Sequence, residues 1–118
     1  MDAPLVLLVD DDVELLEFMK GAVESLGVRT STATAGREAL ELIDQLKPAA
    51  IVLDLVLPQI SGAQVMATLR ARGDEMPIIL TSGVATAPTI GDGVEFLPKP
   101  FSEETLRHAV KRALLRAR

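Results

Sequence analysis

The chain has 118 residues, 48% hydrophobic and 25% charged, a profile that supports one folded domain with a buried core and excludes a disordered segment. Its net charge of −5 offers no basic field to draw in phosphates, so nucleic-acid binding by this segment is not expected. No apolar run is long enough to cross a bilayer, the N-terminus lacks the basic start of a signal peptide, and there is no cysteine for a disulfide or thiolate site; the expectation is a cytoplasmic chain without membrane contact.

The first element, "LVLLV" at Leu5–Val9, is apolar without alternation and reads as a strand buried on both faces. It runs directly into Asp10, Asp11 and Asp12. From Val13 to Leu26 the apolar positions Leu15, Met19, Ala22 and Leu26 advance at a helical period, and Gly27 closes that helix. "VRTSTA" is a polar second strand suited to a sheet edge. "GREALELIDQLKP" follows as a helix with Leu40, Ile43 and Leu46 inward, ended by Pro48. "AAIVLDLVL" is the third strand, apolar apart from Asp54 and therefore central. Gly62 to Arg72 forms a helix burying Val65, Met66 and Leu69, closed by Gly73. "PIILTS" and "VEFLP" are the fourth and fifth strands. Ser102 caps a last helix with Glu103 and Glu104 in its first turn and Leu106, Ala109, Val110 and Ala113 as its stripe. Arg112, Arg116 and Arg118 end it with the sign the helix dipole favours.

Such alternation implies an α/β fold, a parallel sheet covered on both faces and joined by right-handed crossovers. Ligands of these sheets bind beyond the carboxyl ends of the strands, where strand order reverses. Polar residues stand at four such ends: Asp10 and Asp11 after the first strand, Asp54 late in the third, Ser82 at the fourth and Lys99 after the fifth. If the first and third strands are neighbours, about 4.8 Å apart, Asp11 and Asp54 share a pocket with Asp10 beside them. Carboxylates that close raise one another's pKa or recruit a cation, and oxygen-only ligands suit Mg2+ better than zinc. A carboxylate held against Mg2+, a lysine and a small hydroxyl can accept a phosphoryl group, because metal and ammonium offset charge on the transferring oxygens. Asp12 fits a plainer role as helix N-cap. Met19 and Met66 are core filler, and His108, beside Arg107 on a solvated helix face, is assigned no role.

Four motifs in order, "LLVDDD", "IVLDLVLPQISG", "PIILTSG" and "FLPKPF", resemble the receiver domain of two-component response regulators over essentially the whole chain. The resemblance implies a single receiver domain over residues 1–118, a doubly wound five-stranded parallel sheet in the flavodoxin-like order 2-1-3-4-5. It makes Asp54 the phosphoacceptor and Asp10 and Asp11 the acidic pair, with Asp11 on Mg2+ directly, Asp10 largely through water, and the Val56 backbone carbonyl as a further ligand. Ser82 matches the switch hydroxyl, Lys99 the lysine that contacts the phosphoryl group, and Phe96 the rotating aromatic. Pro58 and Gly62 match the turn and helix start after the acceptor strand, and Pro100 the proline whose preceding bond is typically cis. The implied partner is a histidine kinase or histidine phosphotransfer protein, with a weak homodimer as a further expectation. The implied activity is Mg2+-dependent self-phosphorylation and dephosphorylation that switches conformation in a phosphorelay.

The chain also departs from that pattern. Between Ser82 and Lys99 it is several residues shorter than most receivers, and Gly83, Pro88, Gly91 and Gly93 break any helical pattern. The fourth helix, expected between the fourth and fifth strands, should therefore be short or missing. The segment leading to "FLPKPF" is similar to that of receivers attached to hybrid histidine kinases. Phe96 has no hydroxyl, so a switch there works through burial and rotamer. Ser61 stands where the family often has aspartate. Two other function classes compete. A pseudo-receiver that signals by binding alone has no need of Asp10, Asp11, Asp54, Ser82 and Lys99 together. A flavin or nucleotide enzyme needs a phosphate-holding loop after the first strand, where this chain has three acids.

Overall fold

The computed structural model describes residues 3–83 and 93–117. Strands β1 (Leu5–Val9), β2 (Arg29–Ala33), β3 (Ala50–Asp54), β4 (Ile78–Ser82) and β5 (Val94–Pro98) alternate with helices α1 (Val13–Glu24), α2 (Gly36–Leu46), α3 (Gly62–Ala71) and α4 (Glu103–Arg116), with β4 followed in the described residues by β5. All neighbouring strands pair in parallel, in the order β2-β1-β3-β4-β5, as the sequence reading expected. The polar β2 lies at an edge. The expectation of a short or missing helix between β4 and β5 falls on residues 84–92, outside those described.

The pleat sends alternate side chains to opposite faces, and the unbroken apolar runs supply both. Val6, Leu8, Ala50, Val52, Ile79 and Leu97 pack under α1 and α4, against Leu16, Met19, Leu106 and Val110. Leu7, Val9, Ile51, Leu53, Ile78 and Leu80 pack under α2 and α3, against Ala39, Ile43, Val65 and Leu69. Two cores on one sheet hold every strand end rigidly at the same rim.

Local chemistry trims several expected boundaries. Helix α1 stops at Glu24 rather than Leu26: Leu26 N–H bonds the Val23 carbonyl and Gly27 N–H that of Glu24, a tightened last turn that delivers the chain to Gly27 at φ +82°. Its buried residues are Leu16, Met19, Ala22 and Val23, with Leu15 and Leu26 half-buried. Helix α2 ends in Lys47, left-handed at φ 47°, because the residue before Pro48 is disfavoured in the right-handed helical region. Leu46, expected inward, is 42% exposed in that final turn. Strand β3 ends at Asp54, not at residue 57: Leu55 N–H still reaches the Thr81 carbonyl, but the Leu55 carbonyl already accepts from Gly62 N–H.

Asp12 is the α1 N-cap, one carboxylate oxygen accepting from the N–H groups of Glu14 and Leu15 at 3.1 and 3.2 Å. Asp12→Ala should cost about 1 kcal/mol, read as a fall of roughly 4 °C in the thermal midpoint. An unchanged midpoint would show the cap to be dispensable.

Candidate functional site

Because every strand is parallel, β1, β3, β4 and β5 finish on one rim. Val9 pairs with Leu53, so the next residue on each strand brings Asp10 level with Asp54. Asp54 in turn pairs with Thr81, and Thr81 with Leu97. Asp10, Asp54 and Thr81 follow Leu8, Val52 and Ile79 in pleat phase, and Leu97 belongs to the same core, so this row faces α1 and α4. It lies where the order of the sheet reverses between β1 and β3, the position predicted for a ligand.

Lys99 closes the row from β5. Its Nζ donates to Asp10 Oδ2 at 2.8 Å and to Asp54 Oδ2 at 3.2 Å, bridging two carboxylates that are 0% and 4% exposed. The remaining oxygens are also held. Asp10 Oδ1 accepts from Asp12 N–H at 2.9 Å, and Asp54 Oδ1 from Val56 N–H at 3.3 Å. Lys99 is fixed in place by its own N–H, which donates to the Ser82 carbonyl at 2.8 Å. The Lys99–Pro100 bond is cis.

Burial, and after it the negative charge of Asp10, pushes the Asp54 carboxyl above its ordinary range, while Lys99 and the Val56 N–H hold it back. Burial by itself would lower the Lys99 ammonium. The hydrogen bond and charge of Asp10, joined by Asp54, outweigh it and raise Lys99 above its usual value. The ammonium therefore stays charged between two acids, one of which is poorly stabilised as an anion.

Asp11 is exposed, yet one oxygen from each of Asp10, Asp11 and Asp54 falls within 4.8 Å of the others. Three hard oxygen donors beside open solvent fit a small divalent cation that keeps part of its water. Gly62, first residue of α3, supports the acceptor from behind. A Cβ there would meet the Asp54 carbonyl oxygen well inside contact distance and lie 2.9 Å from Leu55 Cα, so only glycine lets α3 start this close.

Of the residues singled out from sequence, the structure joins Asp10, Asp11, Asp54 and Lys99 in one cluster. Ser82 is buried at the end of β4, one pleat step beyond Thr81, on the side of Leu80. Phe96 is half-buried and packs with the core under α2 and α3. Val56 is 66% exposed beside Asp54. Sequence reasoning missed Thr81, whose signal was a second hydroxyl, beside Ser82, at the end of an apolar run. It also missed Phe101, which follows the cis bond and packs against Phe18 of α1, the ring centroids 6.4 Å apart and the planes tilted by 45°.

Residues 6–111 match the family described as the response regulator receiver domain. The chain is 37% identical over 116 residues to the response regulator MprA of Mycolicibacterium vanbaalenii, an alignment covering 94% of this chain and 50% of that protein. It is 32% identical over 115 residues to the response regulator protein TmoT of Ectopseudomonas mendocina, covering 93% and 52%. The chain thus spans about half the length of these curated relatives. Among solved structures, the receiver domain of the Francisella response regulator 1452 superposes with a TM-score of 0.88 at 30% identity, covering 98% of this chain and 99% of that one. A CheY-like receiver from Methanospirillum hungatei JF-1 reaches 0.89 at 22% identity, over 98% and 97%, a likeness of fold.

Proposed function

Since the chain belongs to the receiver-domain family of response regulators, we propose that it is a phosphoacceptor that takes a phosphoryl group on Asp54 from a histidine kinase or histidine phosphotransfer protein and signals by the change this causes. The observation that carries the reading is Lys99 Nζ shared between buried Asp10 and Asp54, with Asp11 completing an acidic cluster. Asp10, Asp11 and Asp54, together with the Val56 carbonyl, would hold Mg2+. Bound there, the ion would offset negative charge on the transferring phosphoryl oxygens.

The chain's own groups have separate tasks. An Asp54 oxygen attacks phosphorus as the phosphorus–nitrogen bond of the donor breaks, the electron pair staying with nitrogen, which takes up a proton. Lys99, already within 3.2 Å of Asp54, turns its ammonium to the incoming phosphoryl oxygens and gives up part of its hold on the carboxylate. Asp10 keeps that ammonium charged and at the rim. Ser82 and Phe96 form the switch: the Ser82 hydroxyl turns from the side of Leu80 towards the phosphoryl group, and Phe96 repacks in the space it leaves. Each of these movements belongs to residues on β4 and β5, so the surface that changes is the one these strands support.

The test is incubation of the chain with Mg2+ and phosphoramidate. The expected result is one acid-labile phosphoryl group per chain, absent in Asp54→Asn and strongly reduced without Mg2+. Folded wild-type protein that takes no label under these conditions would contradict the reading.

A further inference from the structure

Resting on the proposed phosphoacceptor function, we propose that Thr81 is a positioning residue for Asp54, its hydroxyl supplying a hydrogen bond to the acceptor carboxylate at the moment Lys99 turns to the phosphoryl group. Thr81 is 1% exposed, and its Oγ1 has no hydrogen-bond partner among the described residues. A buried hydroxyl without a partner is costly, and valine would fill the same space without that cost. Its position suggests why a hydroxyl stands there. Thr81 pairs directly with Asp54 and lies in the same pleat phase, so the two side chains are neighbours about 4.8 Å apart on one face. Leu97 flanks it on β5 and offers no polar atom, which leaves Asp54 as the polar side chain in the row beside it.

In the resting site Asp54 is already served by Lys99 and by the Val56 N–H, so Thr81 has nothing to add. In the phosphorylated state the oxygen that bridges the Asp54 carbonyl carbon and phosphorus in the acyl phosphate is a poor acceptor. Between them, the carboxylate carries partial charge while Lys99 is drawn to the phosphoryl oxygens, and there a donor from β4 has the most to stabilise. The same holds in both directions. In decay, water oxygen bonds to phosphorus and the Asp54 oxygen–phosphorus bond breaks. Its electron pair returns to the carboxylate, and the water protons leave with inorganic phosphate.

Thr81→Val tests this, with Thr81→Ser as the rescue. Labelling by phosphoramidate and Mg2+ and loss of label after donor removal are timed, with thermal unfolding alongside. Thr81→Val is expected to unfold at an equal or higher temperature than wild type. Both rates should fall by about tenfold, the scale of one hydrogen bond to a charged group, while the steady level of label barely moves. Thr81→Ser should restore both rates. Wild-type rates in Thr81→Val would overturn the assignment, as would a serine variant that fails to restore them, since the residue would then act only by its shape. A wild-type chain that takes no label would overturn this inference and the phosphoacceptor reading together, whereas normal wild-type labelling with unaltered variants sinks this inference alone.

Discussion

Lys99→Met should be about 3 kcal/mol less stable than wild type at pH 7 and regain much of that loss as the pH is lowered. Removing one partner of a buried ion pair leaves an uncompensated charge, and here it leaves two carboxylates facing each other at 0% and 4% exposure. Lys99 keeps some solvent contact, with 24% of its side chain exposed, which sets the loss at the lower end of the usual range. The pH dependence follows from Asp54. Its folded pKa lies above the ordinary 3.8, so between those two values the native state holds more protons than the unfolded chain, and stability falls as pH rises through that window. Lys99 is one of the groups holding Asp54 down. Without it the window extends upward, and the deficit is greatest at neutral pH and shrinks towards 3.8. In wild type the ammonium's own contribution is intact below its ordinary 10.5 and is lost only as pH climbs through its raised folded value. Urea unfolding of both proteins in metal-free buffer at pH 7 and pH 5 measures this. A deficit equal at the two pH values would mean that Lys99 acts through packing rather than by neutralising the acids.

Gly62→Ala should cost about 3 kcal/mol and impair labelling of Asp54 together with stability. The added methyl would meet backbone, the Asp54 carbonyl and Leu55 Cα, rather than the yielding end of a side chain. The helix start must then back away from β3 or push the acceptor strand out of register, and overpacking of this kind typically costs 1–3 kcal/mol, about the upper end where only backbone can give. Gly21→Ala is the internal contrast. It lies exposed within α1 with nothing within 4 Å of its added Cβ, so the alanine should stabilise by about 0.5–1 kcal/mol through helix propensity. Two glycine-to-alanine changes of opposite sign, read by thermal unfolding, separate close approach from propensity. A neutral Gly62→Ala would show that α3 has slack against β3.

Much of the architecture was legible because it is written in periods. Continuous apolar runs marked strands covered on both faces, and the stripe Leu106, Ala109, Val110, Ala113 marked the side of α4 that is fully buried. Glycine, proline and the caps located the element ends to within a few residues. The errors were of one kind. Leu46 satisfied the period but fell in a turn that leaves the helix, and residues 55–57 looked like strand but turn towards α3. Periodicity describes which residues could share a face; it does not say where the partner surface stops.

At the rim, the sequence by itself determined which strand ends carry acids, a hydroxyl and a lysine, since those are properties of single positions beside recognisable strands. Only the tertiary structure decided that the Lys99 ammonium spans Asp10 and Asp54 at 2.8 and 3.2 Å, that Thr81 stands directly beside the acceptor, and that Gly62 rests on its carbonyl. Those relations depend on register between strands that lie far apart in the chain. A one-residue slip would reverse every face, and no local pattern encodes which register the two cores select.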